Sequence, residues 1–292
     1  MSENILSTSS LTKQYGGTIA NNNITINIPR GEIIGFVGEN GSGKTTLLRM
    51  LTGLVRPTSG TYQYDKPHTN IGAIVEKPSY FAGMSGRENM LYHARLCGCD
   101  EGEALKILET VGLSASDKKK VKNYSLGMRQ RLGIGIALLG NPEFLILDEP
   151  TNGLDPQGIV EMRKFLESLV YENEITILIS SHLLSELSQL ATYYIFISHG
   201  KVVESIAAQD LHSRLGKIMT LTTSDEIGDL LQSLQDAGTI RGFMRNDTEW
   251  TLNGPFNYNE LSKALVKIDL KELSTNYDSL ETYYLRLTGG AQ

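Results

Sequence analysis

Residues 38–46 of this 292-residue chain, GENGSGKTT, have the composition and spacing to bind phosphate. They match the pattern G-x-x-x-x-G-K-[ST] directly after a short apolar run and before a helix-patterned segment. In such a loop, glycines let backbone N–H groups surround an anion, and Lys44 reaches the terminal phosphates of a nucleotide. Thr45 adds a hydroxyl for Mg²⁺. The phosphate-binding candidates are Gly38, Asn40, Gly41, Ser42, Gly43, Lys44, Thr45 and Thr46.

Two adjacent acids, Asp148 and Glu149, end the apolar run FLIL at residues 144–147. Burying two charges at the end of a strand costs several kcal/mol per ion unless a cation compensates them. A magnesium ion at the phosphate loop would be that cation, with Asp148 and Thr45 as its ligands. Glu149 can then orient and deprotonate the water that attacks the γ-phosphate. The two groups together predict hydrolysis of a nucleoside triphosphate with Mg²⁺.

Alternating strands and helices must position these groups, and the sequence from about residue 5 to 207 has that alternation. Short apolar runs indicate fully buried strands, and leucines at helical spacing indicate a helix over 44–54. Fully apolar strands separated by helices are typical of a mostly parallel sheet covered on both faces, an α/β fold. The strand candidates are 33–37, 71–75, 144–147, 175–179 and 194–197.

Two regions depart from the parallel pattern. Residues 22–31, NNITINIPRG, alternate apolar and polar side chains, which predicts a small antiparallel sheet. After about residue 209 the pattern changes again, and we predict a small α+β domain over 210–292 beside a first domain over 1–209 that contains a helical subdomain at about 80–140. The predicted elements of the 210–292 domain are a helix through Ile227 and Leu234, a hairpin turning near Asn246 and Asp247, a helix with Leu261, Leu265 and Ile268, and a closing helix from Leu280 to Leu287.

Four more motifs, taken with the phosphate loop and the paired acids, resemble the ATP-binding cassette (ABC) ATPases in type and order. They are KQYGG at 13–17, YSLGMRQR at 124–131, NGLDP at 152–156 and SSH at 180–182. In that family these positions are the adenine-stacking aromatic, the signature, the D-loop and the switch histidine. The resemblance covers about residues 5–207 and implies a P-loop NTPase cassette with a parallel core, an antiparallel β-subdomain and a helical subdomain.

The resemblance also implies roles for individual residues. Tyr15 would stack on adenine, and His182 would contact the γ-phosphate, although a histidine at a strand end can equally be a surface residue. Ser125 can cap the helix that follows it, so that Ser125 and the Gly127 backbone present donors to an anion. In the family that anion is the γ-phosphate of the opposite subunit, which implies a head-to-tail homodimer that forms with ATP. Asp155 would link the two sites, or it caps the next helix.

The chain departs from the family pattern in two places. Tyr124, Leu126 and Met128 replace the usual signature residues, but Ser125 and Gly127 persist, so we expect hydrolysis to survive.

The second departure is Glu76, where the family has a glutamine that contacts Mg²⁺ and the attacking water. A carboxylate binds a hard cation more strongly than an amide but repels the γ-phosphate, so metal affinity and closure should both change. Glu76 is therefore a candidate metal ligand and catalytic group. With the following P-x-x-[FY] and G-x-E-N segments, it resembles the subgroup that exports bacitracin and lantibiotic peptides. A neutral replacement of glutamine in another exporter cassette is the alternative.

The resemblance implies an ATPase subunit that powers the export of an antimicrobial peptide or a drug through separate integral membrane permease subunits. No 18-residue apolar stretch is present, so we expect a cytoplasmic chain held at the inner face of the membrane by its partners. The formal net charge of −6 weighs against a general nucleic-acid binder. Cys97 and Cys99, the two cysteines, are expected to be inert thiols.

Two other classes of function stay open. A non-transport ABC ATPase acting on the ribosome or on DNA usually has two cassettes or a long coiled coil, and this chain has one phosphate loop and no heptad run. A regulatory protein that binds ATP without hydrolysis is also possible, although such a protein could dispense with Glu149.

Overall fold

A computed structural model describes residues 4–266 and 268–289 of the chain. The chain divides into two units, one ending at Ala208 and one beginning at Gln209, and each is described by itself. The elements of the first unit are β1 (Asn4–Tyr15), β2 (Thr18–Ile24), β3 (Asn27–Pro29), β4 (Ile33–Val37), α1 (Lys44–Leu51), β5 (Ser59–Tyr64), β6 (Ile71–Ile74), α2 (Gly86–Cys97), α3 (Glu101–Thr110), a 3₁₀ turn (Val121–Asn123), α4 (Leu126–Ala137), β7 (Phe144–Asp148), α5 (Pro156–Asn173), β8 (Thr176–Ser181), α6 (Leu184–Leu187), β9 (Tyr193–Ser198) and β10 (Lys201–Ala207).

A six-stranded sheet with the order β10-β9-β4-β8-β7-β6 forms the centre of this unit. Neighbouring strands are parallel, except that β10 pairs antiparallel with β9. Every residue of β4 and β8 is buried, as expected for strands covered on both faces. The predicted α/β fold with a mostly parallel sheet is confirmed. Because the strands run the same way, β4, β7 and β8 bring their carboxyl ends to one edge.

A second sheet is antiparallel and contains β1, β2, β3 and β5. The alternation in residues 22–31 correctly predicted its antiparallel character. The prediction did not include β5, whose residues are mostly exposed and therefore carry little apolar signal. Both sheets contribute to one core, which includes Ile5, Leu11, Phe36, Leu47 and Phe144.

The helix after the phosphate loop is shorter than predicted. The sequence pattern indicated a helix over 44–54, but α1 ends at Leu51, with Thr52 as its C-cap. Gly53 follows with φ 74°, a left-handed conformation that ends many helices. Leu54 is 67% exposed, so its spacing from the preceding leucines did not indicate a buried helix face.

Three helices, α2, α3 and α4, lie between β6 and β7 in the chain, and each has a polar N-cap. The cap of α2 is a capping box: the Ser85 hydroxyl accepts from the Glu88 N–H, and the Glu88 carboxylate accepts from the Ser85 N–H. Lys120 Nζ lies 3.0 Å from the same carboxylate. The Ser85 backbone N–H and then Lys120 lower the pKa of Glu88 to about 2.

This shift predicts an acid-dependent stability. Because the folded pKa of Glu88 lies below its usual 4.5, its ionised form stabilises the fold above pH 4.5, and the contribution is lost as pH falls through about 2. Glu88→Gln should therefore lower the thermal unfolding temperature at pH 7, and the difference from wild type should shrink between pH 4.5 and pH 2. Circular dichroism melts at several pH values measure this, with exposed Glu172→Gln as control. A difference that is constant with pH would contradict it.

The second unit, from Gln209, contains a four-stranded antiparallel sheet with the order β12-β13-β11-β14. The chain order strand–helix–strand–strand–helix–strand with this sheet order is the split βαβ arrangement. The predicted hairpin is present, with Asp247 at φ 55° in its turn, but Ile268 lies outside the helix that was predicted to include it. From residue 208 onward, the elements of the chain are α7 (Ala208–Arg214), β11 (Lys217–Thr223), α8 (Gly228–Asp236), β12 (Gly242–Asn246), β13 (Glu249–Asn253), α9 (Tyr258–Leu265), β14 (Leu270–Tyr277) and α10 (Leu280–Thr288).

Candidate functional site

The phosphate loop joins the carboxyl end of β4 to the first residue of α1. Gly41 and Gly43 have φ 80° and 102°, which other residues rarely adopt. A Cβ at Gly43 would lie 2.5 Å from the Ala20 carbonyl oxygen, so only glycine fits there. The loop borders an open cavity of about 190 Å³. Its lining residues are Ala20, Asn40, Gly41, Gly43, Lys44, Thr45, Thr46 and Glu149.

Lys44 is 6% exposed, and its ammonium contacts the backbone at the start of the loop. Nζ donates to the carbonyl oxygens of Gly38 at 2.6 Å and Glu39 at 2.9 Å. Burial lowers the pKa of Lys44, and the nearby carboxylates of Glu149, Asp148 and Glu39 oppose that shift. A buried cation in a glycine-rich loop is suited to bind an anion.

Two observations show that the loop fits a phosphate group. Ser42 is buried, and its Oγ has no hydrogen-bond partner among the described residues. A polar atom of this kind normally finds a partner, and a bound anion or its water would supply one. Gly38 packs against Ser42: a Cβ at Gly38 would lie 2.6 Å from Ser42 Oγ. The sequence-predicted loop residues thus lie together.

Asp148, at the end of β7, lies beside the first turn of α1. Thr45 Oγ1 donates to Asp148 Oδ2 at 3.1 Å, and Ser180 Oγ donates to Asp148 Oδ1 at 2.5 Å. The hydroxyl and the carboxylate predicted as metal ligands are therefore adjacent. Within residues 4–266 and 268–289, no group of three His, Cys, Asp or Glu side chains could hold a metal ion. This oxygen pair suits Mg²⁺, which usually keeps waters and phosphate oxygens as its other ligands.

Glu149 follows Asp148 in a left-handed conformation, with φ 49°. Its N–H donates to Ser180 Oγ and to the Ser180 carbonyl, both at 3.1 Å. Its Oε2 lies 3.1 Å from His182 Nδ1 and accepts from Asn152 Nδ2 at 3.0 Å. The carboxylate is only 27% exposed, and it faces the cavity at the phosphate loop. The predicted base and the predicted switch histidine are thus in direct contact.

Glu76 lies two residues beyond the end of β6, and its carboxylate forms an ion pair with Arg49 of α1. It borders a cleft of about 570 Å³ together with Thr45, Asp148 and Glu149. The structure thus places Glu76 on the same cleft as the other candidates, but in contact with a cation that the sequence analysis did not assign.

Ser125, Gly127 and Asp155 border a different cavity, of about 750 Å³. Ser125 Oγ accepts from the Met128 N–H at 3.2 Å, and Asp155 Oδ1 accepts from the Gly158 N–H at 3.2 Å, so both residues cap helices. Tyr15 ends β1, is 46% exposed and lies under Lys13 Nζ, 4.9 Å from the ring centroid. These residues do not line the phosphate-loop cavity within one chain.

Sequence reasoning missed several residues that hold the site together. Ser180 lies within the SSH motif, and its neighbour His182 was the residue singled out, so a second polar group in that motif was the available signal. Asn152 is likewise in the NGLDP motif. Asn21, which donates to the Gly43 carbonyl at 3.2 Å, gave no signal. Arg49 could have been noticed because it lies four residues after Thr45 on a helix.

A phosphate loop after β4, paired acids at the end of β7 two strands away, and a signature-type helix capped by Ser125 define an ATP-binding cassette. The family profile described as ABC transporter matches residues 21–152. The chain is 40% identical to the bacitracin transport ATP-binding protein BcrA of Bacillus licheniformis, covering 98% of each chain. It is 44% identical to the lantibiotic transport ATP-binding protein SrtF of Streptococcus pyogenes, covering 68% of this chain and 89% of that one.

Two solved structures have the same fold as this chain. The cbiO1 protein of Clostridium perfringens, part of the ABC transporter complex cbiONQ, superimposes with a TM-score of 0.66 at 26% identity, covering 80% of this chain and 95% of that one. A dimeric ATP-binding cassette with bound ADP and phosphate has the same fold, with a TM-score of 0.62 at 24% identity over 70% and 98% of the two chains. The chain belongs to the ABC transporter family as an ATP-binding subunit, and it is an ATPase of that type. The family predicted from the motifs is confirmed.

Proposed function

We propose that this chain is the ATPase subunit of an exporter that removes a bacitracin-type or lantibiotic-type peptide through separate membrane permease subunits. The similarity to the bacitracin transport ATP-binding protein carries the proposal, because it extends over 98% of both chains at 40% identity. It includes the part of the chain that follows the cassette. A non-transport ATPase would not explain that full-length similarity.

The residues of the first unit support ATP hydrolysis as the source of energy. The glycine-rich loop and Lys44 bind the phosphates, and Thr45 and Asp148 would hold Mg²⁺, which would supply neutralising positive charge there. Glu149 accepts a proton from the attacking water, and its contact with His182 orients the carboxylate. Ser180 Oγ donates to Asp148 and accepts from the Glu149 N–H, so both acids are preorganised.

Two copies of the chain complete the site in this proposal. Ser125 and the Gly127 backbone of one subunit face the γ-phosphate bound by the other, and Asp155 lies at the junction of the two sites. The helix N-terminus at Ser125 supplies partial positive charge for that contact. Tyr15 stacks on the adenine ring. Ser125, Gly127 and Asp155 do not line the phosphate-loop cavity of their own chain, which supports a head-to-tail homodimer.

The permease subunits are expected to dock on residues 79–92, which places the chain at the inner face of the membrane. Phe81 and Tyr92 there are 44% and 39% exposed, and their rings form an edge-to-face pair with centroids 4.8 Å apart. Exposed aromatic side chains of this kind are typical of protein interfaces. In the described part of the chain, no helix has the length and apolar character needed to cross a bilayer.

Deletion of the gene in the strain that carries it tests the exporter proposal. The deletion should lower the minimal inhibitory concentration of bacitracin or of a lantibiotic, because the peptide is no longer removed. Wild-type protein should restore resistance, whereas Lys44→Ala should not. Susceptibility to a fluoroquinolone controls for general sensitivity. Unchanged susceptibility to both peptides would contradict the proposed substrate class, and purification with ribosomes or DNA rather than with a membrane protein would contradict transport.

A further inference from the structure

Glu76 is the central residue of a very tight turn. The Lys77 N–H donates to the Val75 carbonyl at 3.0 Å, and Glu76 has φ 69°. This i to i+2 hydrogen bond with a positive φ defines a γ-turn, which is rare and strained for a residue with a side chain. Strain of this kind persists only where the surrounding contacts hold the residue in place. The Glu76 side chain forms an ion pair with Arg49.

Arg49 lies on the helix that begins at the phosphate loop. It follows Thr45 by four residues, so the two side chains lie on one face of α1, one turn apart. Thr45 bonds Asp148 at 3.1 Å, whereas the Arg49 guanidinium pairs with Glu76. Helix α1 therefore carries Thr45 of the proposed metal site one turn from Arg49, which pairs with the carboxylate of Glu76.

The Arg49–Glu76 pair is weak enough to be exchanged. The two side chains are 35% and 57% exposed, and half-exposed ion pairs contribute little because water screens them. The other charges around the same cleft are Lys77, Arg129, Asp148 and Glu149, and Arg129 Nη1 is already bonded to the Tyr124 carbonyl at 2.6 Å. A divalent cation at Thr45 and Asp148 has twice the charge of a guanidinium and would attract the Glu76 carboxylate more strongly.

We infer that Arg49 is a positioning residue that competes with the divalent cation at Thr45 and Asp148 for the carboxylate of Glu76. The inference rests on the proposed nucleotide and Mg²⁺ site. Arg49 itself touches neither nucleotide nor metal. Its pairing with Glu76 reduces the share of the carboxylate that is available to Mg²⁺.

Isothermal titration calorimetry tests this inference. The quantity to compare is the affinity for ATP measured with Mg²⁺ divided by the affinity measured with EDTA. Arg49→Met keeps the aliphatic stem but frees Glu76, so it should raise the ratio about twofold to fivefold, the effect expected for a half-exposed ion pair. Arg49→Lys, which retains the charge, should stay close to wild type. Arg56→Met, at an exposed arginine beyond α1, is the matched control. In a Glu76→Gln background, Arg49→Met should leave the ratio unchanged.

The outcomes separate this inference from the proposal beneath it. A ratio unaffected by Arg49→Met in folded protein, or raised equally in the Glu76→Gln background, overturns the role of Arg49. The absence of any heat with ATP in wild type, or a ratio that does not fall in Asp148→Asn, overturns the nucleotide and metal site instead. Thermal unfolding by circular dichroism verifies folding, and Arg49→Gln replaces Arg49→Met if the methionine variant is unfolded.

Discussion

Replacing Glu149 with glutamine is expected to reduce the rate of ATP hydrolysis by a factor of about 100 to 10,000, the usual contribution of a general base. ATP should still bind, because the amide occupies the volume of the carboxylate and the phosphate loop is unchanged. The Glu149 carboxylate contacts His182 and Asn152. A glutamine amide has the same shape and keeps an acceptor oxygen for these contacts, but it lacks the negative charge that accepts the proton. Phosphate release under single-turnover and steady-state conditions measures the effect.

The same variant tests the proposed dimer. With hydrolysis blocked, Mg-ATP should hold two subunits together, and size-exclusion chromatography should show a dimer that wild type does not retain. Glu172→Gln, a change at an exposed glutamate of α5, should leave both readouts at wild-type values. A Glu149→Gln protein that remains monomeric with Mg-ATP would contradict the head-to-tail sandwich. Equal, negligible phosphate release by wild type and variant would instead support a nucleotide binder without turnover.

Part of this fold could be read directly from local sequence. The run 33–37 was predicted to be a buried strand and forms β4 with the same limits, because five consecutive apolar residues fit only where both faces of a sheet are covered. The end of α1 could not be read in this way. Leucine spacing continued to Leu54, but helix termination depended on the backbone at Gly53, which spacing does not report.

The candidate site likewise contains one contact that the sequence could indicate and one that it could not. The contact between Glu149 and His182 follows from adjacent parallel strands β7 and β8, so two motifs at strand ends predict it. The pair between Arg49 and Glu76 joins residues 27 positions apart on a helix and on a turn beyond an edge strand. No local pattern reports that distance. The strand order of the second unit was also beyond sequence reasoning, because β11 pairs with β14 across two helices and a hairpin.

Removing the ammonium of Lys44 is expected to weaken ATP binding by a factor of about 10 to 100, the value of a charge-assisted hydrogen bond lost to phosphate. Lys44 is buried and borders the loop cavity, where its ammonium donates to two backbone carbonyls. Lys44→Ala removes the charge and the packing of the stem. Lys44→Met removes only the charge and two hydrogen bonds, and it separates binding from stability.

Isothermal titration calorimetry with Mg-ATP measures the loss, and Lys164→Ala at an exposed position of α5 is the control. Burial lowers the pKa of Lys44, so the ammonium is desolvated in the folded protein, and Lys44→Met should unfold at a temperature close to that of wild type. A methionine variant that is folded and still binds ATP with wild-type affinity would show that the loop backbone alone holds the phosphates.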